Sequence, residues 1–273
     1  MQAMVSSART VLALSLALLM ALSFASVHAA EDDPWPDIHR DVFDSREIIE
    51  NDGAITLEAP YRAEDAAIVP LTMRMPAEIA DKVKSLTLVI DKNPAPVAAT
   101  FTFGDAAGKG ERMLSTRVRV NMYSNVRAVI ETDDGKLHMA TKFVKASGGC
   151  SAPASKDADE ALASMGKMQI RTFDKPDDST RMTREAQVMI RHPNFTGMQM
   201  DQVTRQYTPA LFVQDLEVKR GDELVFKMEG GISISENPNF RFTFGPAGDD
   251  TLEVTAKDTD GHVYSATSEG KAS

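Results

Sequence analysis

The chain has 273 residues, 30 basic and 40 acidic, and a formal net charge of −10. That charge opposes nucleic-acid phosphates, and no Lys/Arg-rich run offers a surface for anionic lipid. Its length suits one or two domains, and 42% hydrophobic with 26% charged residues is an ordinary globular balance.

Residues 1–30 read as an export signal. Arg9 supplies the positive start, residues 11–24 (VLALSLALLMALSF) the apolar stretch, and SVHAAE the small residues for cleavage after Ala29 or Ala30. The apolar run is short for a membrane span, which needs about 20 residues. No other stretch is apolar enough to cross, so a periplasmic protein free of the membrane after cleavage is expected. Residues 34–51 then space Trp35, Ile38, Val42, Phe43, Ile48 and Ile49 as an amphipathic helix would, ended by Asp52-Gly53. Trp35 is read as a core or staple residue.

From Ala54 the pattern becomes short strands rich in β-branched and aromatic residues, punctuated by turns. Asp134-Gly135 marks a tight hairpin. Leu137, Met139 and Phe143 alternate with His138 and Lys142, as in a half-buried strand. After residues 148–166, read as a Cys-bearing arm and a linker with a potential short helix, strands resume to the C-terminus. The spacing predicts an all-β protein of two immunoglobulin-like antiparallel sandwiches, with a short N-terminal helix. The expected segments are 1–30, 31–147, 148–166 and 167–273. The halves echo each other: Asn93-Pro94 and Asn237-Pro238 each precede FTFG, and each half closes on an Asp-Gly hairpin.

Cys150 is the sole cysteine. An exported chain with one cysteine has either a reactive thiol or an intermolecular bond. Gly148 and Gly149 precede it, and Ser-Ala-Pro-Ala-Ser follows. A lone cysteine is most often a small buried hydrophobe, but such a loop argues against burial and predicts a mobile arm, with a reach of about 13 Å from Ala146 to Cys150. No local His, helix start or second Cys activates the thiol. A handle used by another protein's site is therefore expected, with no catalytic residue of its own.

These residues resemble a known family. VKASGGC resembles the end of SoxY, the sulfur carrier of the periplasmic sulfur-oxidation system, and DKNPAPVAATFTF (residues 91–103) also resembles SoxY. MQIRTF, RHPNFTGM, ENPNFRFTFG and LEVTAKDTDGHVYSA resemble SoxZ, its sandwich partner. The chain looks like the two fused, as in carriers associated with quinoprotein dehydrogenases. The resemblance implies that Cys150 bears a thiosulfate-derived or related sulfur cargo covalently, with Gly148 and Gly149 as its flexible approach. It implies partners among periplasmic redox enzymes: Sox-type enzymes, a c-type cytochrome or a quinoprotein dehydrogenase. One departure is plain: SoxY ends in Gly-Gly-Cys-Gly-Gly, whereas here Ser151-Ala152 follow and the chain continues. The arm is tied at both ends.

The alternative is an immunoglobulin-like interaction module for a periplasmic quinoprotein dehydrogenase, with Cys150 in an intermolecular disulfide. A thiol peroxidase and a copper chaperone are further readings. For the last, Met182–Met200 holds several Met and His192, although Met more often fills cores. His39, His138, His192 and His262 show no paired ligand spacing, and no phosphate-binding loop or nucleophile elbow occurs. No cofactor and no metal are expected.

Overall fold

A computed structural model describes residues 33–153, 158–173, 182–200, 204–247 and 251–268. The export-signal reading of residues 1–30 lies outside them. Among the described residues no helix is long and apolar enough to cross a membrane.

The chain opens on helix α1 (Trp35–Phe43). The helix is shorter than its periodicity suggests. Asp44 and Ser45 both take positive φ, which ends it, and Ile48–Glu50 forms strand β1 beside Leu137–Val144. Ile48 and Ile49 thus belong to a sheet edge. Alternation of apolar and polar residues, which fits one buried face of a pleated strand, then builds β2 (Thr56–Glu58), β3 (Val69–Met75), β4 (Val83–Ile90) and β5 (Val97–Phe103). A four-residue helix α2 (Ala77–Ala80) links β3 to β4. The first half is completed by β6 (Arg112–Val118), β7 (Ser124–Thr132) and β8 (Leu137–Val144). Helix α3 (Ala158–Ala163) stands where the linker was expected. The second half comprises β9 (Met168–Phe173), β10 (Arg184–Ile190), β11 (Val213–Arg220), β12 (Glu223–Gly230), β13 (Asn239–Phe244), β14 (Leu252–Asp258) and β15 (Val263–Thr267).

Two antiparallel Asp-Gly hairpins appear as expected. β7 turns to β8 with Gly135 at φ 78°, and β14 turns to β15 with Gly261 at φ 86°. Positive φ is the reason glycine stands there.

The strands form two sheets that run through both halves. One has the order β1-β8-β7-β4-β5-β12-β11-β14-β15, the other β2-β3-β6-β13-β10-β9. The seam is antiparallel in both: Phe101 faces Met228 across β5/β12, and Leu114 faces Phe242 across β6/β13. Read outward from the seam, 5-4-7-8 mirrors 12-11-14-15, and 6-3 mirrors 13-10. The halves therefore share one kind of sandwich. The FTFG echo does not mark equivalent strands, because β5 lies in the first sheet and β13 in the second.

One hydrophobic core crosses the seam. Phe101 touches Phe226 and Phe240 edge-on at centroid distances of 5.9 and 6.1 Å, and Phe226 meets Phe242 at 5.0 Å. A second cluster lies on the outer face of β4, β7 and β8. There Val89, Val129, Leu137 and Met139 are covered by Ile38 and Phe43 of α1, with Trp35 against them. Trp35 also stacks on the Arg127 guanidinium at 3.9 Å, and Arg127 holds Asp91 through two buried hydrogen bonds of 2.9 Å.

Candidate functional site

Past β8 the chain runs along a loop of the first half. Lys145 donates its N–H to the Tyr61 carbonyl and accepts from Ala63. Gly148 then turns with φ 79°, a conformation open to glycine, and donates to the Asn121 carbonyl at 2.8 Å. Gly149 donates to Val120 at 3.1 Å and squeezes past Ala66: a Cβ there would lie 2.1 Å from the Ala66 carbonyl oxygen. The glycine pair thus serves close approach and a turn. This corrects the expectation of a freely mobile arm, because Gly148 and Gly149 are hydrogen-bonded into the body of the protein.

Cys150 follows with its thiol fully buried at 0% exposure. The expectation of an exposed thiol fails for a reason that local sequence does not carry. Two distant segments hold the backbone on either side of it. From the first half, Arg119 donates Nη1–H to the Gly149 carbonyl at 3.1 Å. From the second half, Thr196 donates its hydroxyl to the Cys150 carbonyl at 2.6 Å. Burial pushes the thiol pKa up from 9.0 to about 11, while the Arg119 guanidinium pulls it down. The opening beyond the arm is near, since Ser151 and Pro153 are exposed.

The covering segment comes from Pro193–Gln199, after β10. Asn194 sits at φ 42° and is buried. Its amide donates to the carbonyls of Ile234 and Ser235, and its side-chain oxygen accepts from Val213 N–H at 3.2 Å. Its own carbonyl faces Arg119 Nη2 at 3.5 Å. Gln199 Oε1 accepts from the Thr196 N–H at 2.9 Å and lies 2.9 Å from the Thr196 hydroxyl oxygen. On the first half, the buried Asn93 accepts from Asn121 N–H at 2.8 Å and donates to Arg119 O and Ser233 Oγ. The Asn93-Pro94 turn therefore braces the strand end on which the arm rests.

Arg119, Asn194, Thr196 and Gln199 were not singled out from sequence as site residues. Arg117 and Arg119 alternate with Val118 and Val120, a pattern that reads as a solvated strand face. The signal for Asn194 and Thr196 was present in RHPNFTGM, a stretch read for resemblance and, within the Met-bearing segment that holds His192, for copper.

The histidines do not gather. His39 Nε2 lies 2.6 Å from Arg46 O, and His138 Nδ1 lies 2.6 Å from Asp52 Oδ2. His262 Nδ1 is 3.0 Å from Asp258 Oδ2, with His192 buried on the other side at 3.6 Å. Burial lowers the His192 pKa, which favours its neutral form. Among the described residues no three His, Cys, Asp or Glu side chains are grouped to hold a metal. A separate cleft of about 620 Å³, walled by Arg117, Lys167, Met168, Met189 and Arg191 among others, does not include Cys150.

The family model of sulfur oxidation protein SoxY matches residues 39–150, ending on Cys150, and that of sulphur oxidation protein SoxZ matches residues 172–269. Among solved structures, the sulfur carrier protein SoxY from Chlorobium limicola f thiosulfatophilum is 27% identical. That likeness covers 41% of this chain and 91% of that one, with a TM-score of 0.33. A tetra-tandem repeat in the extending region of a large adhesion protein is 16% identical over 79% of this chain and 48% of that one, with a TM-score of 0.25. No curated protein sequence matches.

Proposed function

Because this chain is a SoxY domain continued by a SoxZ domain, we propose that it is a one-chain periplasmic sulfur carrier that takes its cargo on Cys150. SoxY and SoxZ are carrier and accessory proteins of sulfur oxidation, and the coarse role follows from them. The finer reading is that a thiosulfate-derived or related sulfur species is bound covalently at Cys150. Export places the carrier among periplasmic redox enzymes, Sox-type enzymes, a c-type cytochrome or a quinoprotein dehydrogenase, which load and unload it.

The observation that carries this reading is positional. The SoxY match ends on the chain's single cysteine. The buried resting thiol supports a carrier over an enzyme. A thiol held near a pKa of about 11 has almost no thiolate at neutral pH, so it does not attack a substrate unaided. Loading then requires the arm to lift toward its exposed end at Ser151, or a partner to lift it. The second reading, a module joined through an intermolecular disulfide at Cys150, meets the same cover and has no observation in its favour.

The test is the intact mass of protein isolated from its native cells without reductant. Increments of about 32 Da (one sulfur) or about 80 Da (one SO₃) on the Cys150 peptide are expected for a carrier. A population that is wholly unmodified or wholly disulfide-dimerised, under conditions where reduced sulfur is being oxidised, would overturn it.

A further inference from the structure

We propose that Arg119 and Gln199 form an anion site for the sulfur species borne by Cys150, an inference that rests on the carrier reading.

Arg119 is the largest of the fully buried side chains, at 0% exposure. Its hydrogen-bond partners are two backbone carbonyls, Gly149 O at 3.1 Å and Asn194 O at 3.5 Å. Its Nε has none, and among the described residues no carboxylate lies within ion-pair distance of it. Of the two other buried arginines, Arg127 is neutralised by Asp91 at 2.9 Å, while Arg112 meets only the Val83 and Gly108 carbonyls and lies over the Phe103 ring. Arg119 is the one that touches the cysteine arm. A buried cation without a counter-charge is costly. Asp65 and Glu236 act on Arg119 only through longer-range attraction.

Gln199 repeats the pattern. It is 4% exposed, its Oε1 accepts the Thr196 N–H, and its Nε2 is buried without an acceptor. Orphaned buried donors are rare enough that each requires an explanation. These two bracket one residue. Arg119 holds the carbonyl before Cys150, and Gln199 reaches the carbonyl of Cys150 through the Thr196 hydroxyl, which touches both.

A neutral thiol gives these donors neither charge nor a strong acceptor. An anionic sulfur on Cys150, an ionised persulfide or an S-sulfonate, supplies both. The empty carrier is then the state with unmet electrostatics, and the anionically loaded carrier the state in which they are met. The pull of Arg119 on the thiol pKa has the same sign. Neutral adducts gain nothing from the site, so it selects cargo by charge.

The experiment compares two adducts of similar size on the full chain. For the anionic one, Cys150 is first converted to a thionitrobenzoate mixed disulfide. Sulfite then forms a bond to the cysteine sulfur as the S–S bond to thionitrobenzoate breaks, and thionitrobenzoate leaves with the electron pair. For the neutral one, methyl methanethiosulfonate transfers its methylthio group to the thiolate and methanesulfinate leaves. Release of each adduct by dithiothreitol is followed by intact mass, and the ratio of the two rates is referred to a short peptide containing GGCSA. In the native chain the sulfonate is retained at least tenfold longer than the peptide ratio predicts. Arg119→Met abolishes this selectivity, Gln199→Leu reduces it several-fold, and Arg119→Lys keeps part of it.

If both adducts leave faster by the same factor in Arg119→Met, Arg119 only pins the arm and the proposal fails. It also fails if the native chain shows no selectivity. Where Arg119→Met does not fold, Gln199→Leu and Arg119→Lys decide by the same ratio. Because the adducts are installed chemically, anion selectivity without sulfur on native protein would sink the carrier reading and leave the site standing, and the reverse result would do the opposite.

Discussion

Gly149 shows how little room the arm has. An alanine methyl there would meet the Ala66 carbonyl oxygen at 2.1 Å and the Val120 carbonyl oxygen at 2.7 Å, both backbone and unable to yield. Gly149→Ala is therefore expected to lift the arm and leave the sheets intact. Cys150 should then react with iodoacetamide at close to the rate of an unfolded chain, with far-UV circular dichroism unchanged. In the native chain the reverse holds. With the pKa at about 11 against 9.0, the thiolate fraction at neutral pH falls about 100-fold, before any steric cover is counted. Alkylation at pH 7.5 should be slower than in denaturant by at least that factor, and equal rates would show the thiol to be open. A stability consequence follows with a definite sign. Below about pH 9 the thiol is neutral in the folded and unfolded chain alike. Between about 9 and 11 only the unfolded thiol ionises, so the unfolded state holds fewer protons and rising pH favours unfolding. The loss levels off above the folded pKa, at about 2–3 kcal/mol. Denaturant titrations of the native chain and Cys150→Ser across that window should diverge by this amount.

At the scale of the element, the seam strands carry both fold and site. β5 is buried between β4 and β12, and Phe101 at its centre touches Phe226 and Phe240 of the other half. Phe101→Ala is expected to cost about 3–5 kcal/mol by lost burial and a cavity at the crossing. Calorimetry should register the loss as a lower melting temperature of the whole molecule. The outer face of β7 explains why α1 exists. β7 is buried on nearly every residue, and the helix supplies the cover. Much of this was legible: alternation located the strands, and Asp-Gly pairs located both hairpins. Ile48 and Ile49 misled because two adjacent isoleucines fit a helix face and a β-edge equally well. What settles the choice is the backbone of Asp44 and Ser45, which turns left-handed and ends the helix. Residues that cap the thiol were invisible for a related reason. The contacts of Gly149 with Arg119 and of Cys150 with Thr196 span 30 and 46 residues, and a local pattern records neither.

At the scale of the whole molecule, the expected division into two sandwiches meets sheets that are continuous across the seam. The Asn-Pro and FTFG echo suggested a repeat, and a repeat is present, but its register lies in strand order, where β4 corresponds to β11 and β5 to β12. Short identical words in strands arise wherever alternating aromatics and a terminal glycine are useful, so they were a poor guide to equivalence. A shared core predicts shared unfolding. Replacing residues 154–157 with a protease site and cutting there should leave the two pieces bound through chromatography and unfolding in one transition. Separation in native buffer, or two transitions, would contradict a common core.

Covalent linkage across that seam also changes how the carrier responds to dilution. Two separate subunits part when their concentration falls below their dissociation constant, whereas a short tether keeps each facing the other at an effective concentration on the order of millimolar. The lid over Cys150 is drawn from Thr196 and Asn194, on the far side of the join. A guarded sulfur in this protein therefore does not depend on how many copies the compartment holds.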